Sequence, residues 1–178
     1  EEVDSPYTYV EATVKIDGVV FPRVGLRKKG FIGSQSSSRP SLKIKLNQTD
    51  KKGSIDGLTI LTFNNNNQDN TQMSQFMGYE LFNAAGSPAS RCALAKVTVN
   101  GKNLGIYAHV ESVKKQLAKR GFGNSKGTLY EGTVVDFHEN WEGSFEKKFG
   151  KDKPGREHIV KVINALKGKG GDVFFGGK

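Results

Sequence analysis

The sequence predicts an α+β fold: an antiparallel sheet with one helix packed on it, followed by helical segments. Three observations carry this. Segments of alternating polarity are joined at Asp17-Gly18 and Asn100-Gly101, pairs that supply the positive backbone angles of tight hairpins. One helical stretch stands between the two sets of strands. The order lacks the regular strand–helix–strand alternation of a parallel sheet, and no repeat at solenoid periods is found.

Tyr9 to Asp17 places Val10, Ala12, Val14 and Ile16 on one face and Glu11, Thr13, Lys15 and Asp17 on the other, which is a half-buried strand. Val19 to Gly30 is the return strand, and Pro22 in it marks an edge or a bulge. Phe31 to Pro40 is a polar loop. Ser41 to Leu46 is a strand with Leu42, Ile44 and Leu46 inward and Lys43 and Lys45 on the opposite face. After a loop with Lys51, Lys52 and Gly53, Leu58 to Phe63 is a further strand. Asn64 to Asn67, four asparagines in a row, reads as a turn ahead of a helix.

Asp69 or Asn70 caps a helix over 69–85, with Met73, Phe76, Met77, Leu81 and Ala84 as its buried stripe. Gly86 ends it and Pro88 follows. Cys92 to Val99 and Leu104 to Val110 form a hairpin about Asn100-Gly101. Ser112 to Arg120 is a short basic helix, Gly121 to Gly127 a connector, and Thr128 to Gly132 a strand. Gly155 to Lys167 has helical periodicity through Ile159, Val162, Ile163 and Leu166, and the tail after Gly168 is rich in Gly and Lys. The expected division is a sheet-and-helix region over 1–132 and a mostly helical extension over 133–178.

Composition narrows the function classes. The 178 residues suit one domain with a real core, and 35% hydrophobic with 25% charged residues argues against disorder. A net charge of +9 favours anionic partners: nucleotide phosphates, nucleic acid, acidic glycans or an anionic surface. No apolar run approaches the roughly 18 residues of a membrane helix, and the acidic Glu1-Glu2-Val3-Asp4 does not read as a secretion signal. Cys92 is the only cysteine, so no internal disulfide forms; it reads as a small buried thiol at the start of a strand. No Cys/His cluster has zinc spacing, and His109, His138 and His158 are too widely separated to suggest a metal triad. Ser34 to Ser38 does not form the Gly-x-Ser-x-Gly elbow of a hydrolase. Phe137, Trp141, Phe145 and Phe149 read as the apolar face of a helix, or as a stacking surface for a sugar or base.

One pair of elements points to chemistry. Lys43 and Lys45 leave the non-core face of a strand, and Glu80 sits at the edge of the helix's apolar stripe. A carboxylate there is costly without a cation, and a sheet lysine is the obvious partner. A strand lysine paired with a helix glutamate holds the ATP phosphates in protein kinases. Solvated lysines and an exposed glutamate are the plainer alternative. The loop from Gly30 to Ser41, with Gly30, Gly33 and its serines, could lie over phosphates; Arg27 and Lys29 alternate onto one face beside it.

Val24-Gly25-Leu26-Arg27-Lys28-Lys29-Gly30 resembles the Val-Gly-Leu-Arg-x-Lys-Gly segment of the CotH kinase family, the spore coat protein H-like proteins. Ser41-Leu42-Lys43-Ile44-Lys45-Leu46 resembles its following Lys-rich strand. Gly78-Tyr79-Glu80-Leu81-Phe82, Ala85 to Arg91, Val99-Asn100-Gly101-Lys102, Gly105-Ile106-Tyr107-Ala108-His109-Val110-Glu111 and Gly127-Thr128-Leu129-Tyr130 are similar to its later blocks, in the right order. The likeness spans roughly residues 7 to 132. It implies a divergent protein-kinase-like amino-terminal lobe in an atypical protein kinase, a transferase moving phosphate from ATP, with Mg2+, to hydroxyls of coat or extracellular proteins. Spore coat or extracellular location is what the family implies. By the same analogy Lys43 or Lys45 takes the strand-lysine role and Glu80 the helix-glutamate role. Arg27 flanks the phosphates, and the segment His109 to Ser112, with Val110 and Glu111, lies near the hinge and the adenine; Lys29 adds a cation beside the loop.

The family also implies a second lobe with a catalytic Asp, an Asn and a Trp-Asp-x-Asp-like metal motif. That motif is not found: Glu131, Asp136, Glu139, Glu142, Glu146, Asp152, Glu157 and Asp172 are scattered. No catalytic or metal-binding residue is therefore assigned. The expectation is the nucleotide-binding portion of a kinase, inactive by itself. The alternative is a non-catalytic basic module for acidic glycan or cell-wall polymer. Nucleic acid is not favoured, because the aromatics do not interleave with basic residues on a strand.

Overall fold

The computed structural model describes residues 5–31, 33–151 and 154–167. The acidic start at Glu1 to Asp4, Ile32 of the polar loop, Asp152, Asp172 and the tail after Gly168 lie outside the described residues. The chain forms two compact units, Glu1–Val113 and Lys114–Lys178.

The first unit is a six-stranded antiparallel sheet in the order β1-β2-β3-β4-β6-β5. Its strands are β1 (Val10–Ile16), β2 (Val19–Lys28), β3 (Leu42–Lys45), β4 (Ile60–Asn64), β5 (Cys92–Val99) and β6 (Lys102–Val110). The two expected hairpins form, with positive φ at Asp17 (46°), Gly18 (91°), Asn100 (48°) and Gly101 (79°). Pro22 sits where the β1–β2 register slips, between the Ala12–Val24 and Val14–Phe21 pairs, so its missing N–H is absorbed by a bulge. Leu42, Ile44 and Leu46 are buried, and Ile44 and Leu46 join Val24 and Leu61 in the core, while Lys43 and Lys45 point away. The two-residue side-chain period of β3 thus sends its apolar half into one layer and its charge to the other face.

Helix α1 (Ser74–Ala84) is shorter than 69–85. The five residues before it form a turn held by Asp69, whose carboxylate accepts the N–H and hydroxyl of Thr71 and the N–H of Ser74. The helix ends as expected. Gly86 at φ 78° donates to the Asn83 carbonyl, and Ser87 donates to that of Phe82, which together make a Schellman stop. Its apolar stripe is not a buried one. Met73 and Phe76 are half-buried, Met77, Leu81 and Ala84 are exposed, and no residue of α1 is buried. The helix lies against β5, an edge strand, so the sheet offers it little surface to cover that stripe.

The second unit contains α2 (Lys115–Phe122), β7 (Leu129–Gly132), β8 (Phe145–Phe149) and α3 (Glu157–Lys167). Gly123 closes α2 in the left-handed conformation. Phe145 to Phe149 is a strand paired antiparallel with β7, not part of a helix. A spacing of four fits both periods, and the presence of β7 as a ladder partner decides for the strand. Phe145 packs with Ile159 and Ile163 of α3, flanked by Tyr130, Val135 and Phe137. Among the described residues, 133–167 hold one strand, one α-helix and two short 3-10 turns.

Candidate functional site

The face of the first sheet opposite its core carries a row of cations. Arg27 of β2 stands directly opposite Lys43 of β3, and Lys43 in turn opposite Thr62 of β4. Like charges placed opposite each other on a sheet repel. Lys29, two residues after Arg27, is partly buried; burial, and then the charges of Lys43 and Arg27, lower its pKa from the usual lysine value. The Nε of Arg27 is buried with no hydrogen-bond partner among the described residues. Its guanidinium lies 5.5 Å from the Tyr7 ring and 5.2 Å from the Tyr9 ring. Lys45 Nζ also lies over the Tyr9 ring, at 5.9 Å. Tyr9 can lie across β2 because residue 25 is glycine: a Cβ there would stand 2.9 Å from its ring.

Beyond Lys29 the sheet face opens into a polar pocket of about 330 Å³, between the end of β2, Gly33-Ser34, the asparagine run and the start of α1. Lys29 Nζ donates to Asn64 Oδ1 at 2.5 Å, and Asn64 Nδ2 donates to Gln75 Oε1 at 2.7 Å. The 33–41 loop forming one wall is pinned. Asn65, 2% exposed, donates through its side chain to the carbonyls of Gly33 and Arg39 and through its backbone to Ser41 Oγ. Arg39 donates to the Leu104 and Ile106 carbonyls of β6. The asparagine run is therefore more than the turn its composition suggests: one member braces the loop and another holds the lysine. The signal was a run of amides entered directly from a strand, one position past its last apolar residue.

Glu80 stands elsewhere. It is exposed on α1, and among the described residues it makes no ion pair with Lys43 or Lys45. Its charge acts instead on Cys92 at the start of β5. With α1 against β5 and Lys43 three strands away on β3, the sheet order keeps them apart. The buried carboxylate among the described residues is Glu111, just past β6 and 4% exposed. It accepts the Arg91 N–H at 3.1 Å and Arg91 Nη2 at 3.4 Å. Val110 beside it is buried, and Ser112 Oγ lies 3.3 Å from Thr62 Oγ1, tying the end of β6 to the strand next to Lys43. His109 packs on Phe63, its Nδ1 3.0 Å from the Thr62 carbonyl, and burial lowers its pKa.

The family model described as CotH kinase protein matches residues 26–169. The chain belongs to the CotH kinase protein family. The match takes in the cation row, the pocket and α1, and it runs past residue 132 through the β7–β8 pair into the second unit. No curated protein matches the chain. CotH membership brings a kinase-like function, and with it ATP, Mg2+ and a protein substrate in general terms. Among the described residues no three His, Cys, Asp or Glu side chains converge to hold a metal ion. No helix of the described residues is long and apolar enough to cross a membrane.

Proposed function

We propose that this chain grips the phosphate chain of ATP for a CotH-type protein kinase, with Arg27, Lys29 and Lys43 as the phosphate-binding cations. The carrying observation is that Arg27 stands opposite Lys43 on one sheet face with Lys29 two residues on, where burial and then the charges of Lys43 and Arg27 lower the Lys29 pKa. An anion placed among them relieves their mutual repulsion. Family membership supplies the reaction class, and the ordered family blocks favour a divergent kinase amino-terminal lobe. Lys45, drawn toward Tyr9, has a secondary place. Glu80 has none at the phosphates. Val110 and Glu111 mark the adenine side in the family analogy, with Glu111 as the acid that locks β6 to Arg91. The acceptor would be a hydroxyl of a coat or extracellular protein.

Calorimetry with ATP and magnesium tests this. Arg27→Ala and Lys43→Ala should each weaken binding roughly tenfold or more, as expected for a lost charge-assisted contact. Glu80→Ala should leave it unchanged. No heat with the unmodified chain would sink the reading. A second reading has its own observation: Tyr7 and Tyr9 flanked by Arg27 and Lys45 suit an acidic sugar polymer. It predicts polymer binding that falls steeply with salt, and no binding of ATP.

A further inference from the structure

We propose that the pocket beyond Lys29 is a receptor for one phosphoryl group, held by Lys29, Asn67, Gln68 and Ser34. Several polar groups around the pocket are already engaged. Asn64 is held between Lys29 and Gln75, Asn65 braces the loop, and Asn66 donates to the Gln72 carbonyl. Asp69, the carboxylate in the lining, is taken up by Thr71 and Ser74 at the start of α1. The side chains of Asn67, Gln68 and Ser34, by contrast, make no hydrogen bond among the described residues. Asn67 Nδ2 and Gln68 Nε2 converge on Gly33, standing 3.4 and 3.7 Å from where a Cβ on it would be. Lys29 has three N–H donors and uses one on Asn64.

The unused donors come from three chain segments around a space of about 330 Å³ whose floor is a cation. That suits a tetrahedral oxyanion, which accepts on several sides at once. Ser34 is held in place, because Asn65 and Ser41 fix the loop that carries it. Lys29 joins this pocket to the cation row, since the charges of Arg27 and Lys43 reach it. The inference rests on the nucleotide reading only for the carrier. The phosphoryl group is either the terminal phosphate of the nucleotide or a phosphate monoester on a protein side chain.

Calorimetry at fixed ionic strength distinguishes these, using inorganic phosphate, ADP, ATP and a phosphoserine peptide on the unmodified chain and on Asn67→Ala/Gln68→Ala. The two positions lie on the pocket wall outside the core, and circular dichroism checks the fold. If the carrier is the nucleotide, ATP binds roughly tenfold tighter than ADP. The double substitution closes that gap and leaves ADP unchanged. If the carrier is a phosphoprotein, the phosphopeptide shows the loss instead. Inorganic phosphate binding that is lost in the variant upholds the pocket even if no nucleotide binds, in which case only the nucleotide reading falls. ATP and ADP binding equally, with phosphate and phosphopeptide unaffected by the substitutions, overturns the pocket and leaves the cation row standing. Binding of none of the four ligands overturns both.

Discussion

Asn65 donates its backbone N–H to Ser41 Oγ at 2.9 Å, and both residues are buried where the polar loop rejoins the sheet. The Asn65 side chain also holds the Gly33 and Arg39 carbonyls, at 3.1 and 2.8 Å. Asn65→Ala removes both of these bonds and the one its Oδ1 accepts from the Asn67 N–H, and should destabilise the protein by about 2–3 kcal/mol. Ser41→Ala leaves one buried N–H unpaired and should cost about 1–2 kcal/mol. Urea unfolding reads both; unchanged midpoints would mean the loop is not braced there.

Gly25 is required by close approach rather than by backbone angle. A Cβ would meet Tyr9 at 2.9 Å and the Gln48 amide at 3.2 Å. Gly25→Ala should therefore displace the Tyr9 ring and loosen its stack with Arg27 and Lys45. In a double-mutant cycle with Tyr9→Ala, the two changes should be non-additive by about 1 kcal/mol. Strict additivity would argue that the ring does not cross residue 25.

Asp69 gives an acid-side signature. Its pKa is lowered to about 2, first by the Thr71 hydroxyl and also by the N–H groups of Ser74 and Thr71. Because the folded value lies below the unfolded one, its contribution is fully present above pH about 4. It is lost as pH falls through about 2. Asp69→Asn should flatten the stability profile between those values and leave the profile above pH 5 parallel to that of the unmodified chain. A variant profile with the same slope between pH 2 and 4 would remove the assignment.

Glu80 should reveal itself through Cys92. Burial, and then the charge of Glu80, raise the thiol pKa. Glu80→Gln should lower it and speed alkylation by iodoacetamide at pH 8, whereas Lys43→Ala should not. An alkylation rate indifferent to Glu80 would place that carboxylate elsewhere.

Glu111 is a buried acceptor for Arg91, so charge and shape can be separated. Glu111→Gln keeps an oxygen for the Arg91 N–H and should cost less than Glu111→Ala, for which about 1–3 kcal/mol is expected. Equal losses in thermal unfolding would mean the carboxylate's charge, not its shape or its acceptance of that N–H, is what counts.

Much of this was legible before folding was considered. Both hairpin turns, the inward and outward halves of β3 and the glycine stop of α1 follow from local rules of period two and positive φ, while Pro22 could be read only as an edge or a bulge until the β1–β2 register chose the bulge. The family blocks are likewise a property of residue order, and Arg27 and Lys29 could be placed on one face by alternation alone.

What the chain order alone leaves open is which elements become neighbours. Helical spacing gave α1 an apolar stripe but could not say that it would lie on edge strand β5, where that stripe stays half-uncovered and Glu80 meets Cys92 rather than a lysine. Phe145 and Phe149 satisfied two periods, and only pairing with β7 made them a strand. The polar pocket gathers residues from 29 to 75, and its donors matter because some amides are engaged and others are not. Local periodicity assigns each side chain a face. Strand order and hydrogen-bond competition, which act over long chain separations, decide what that face meets.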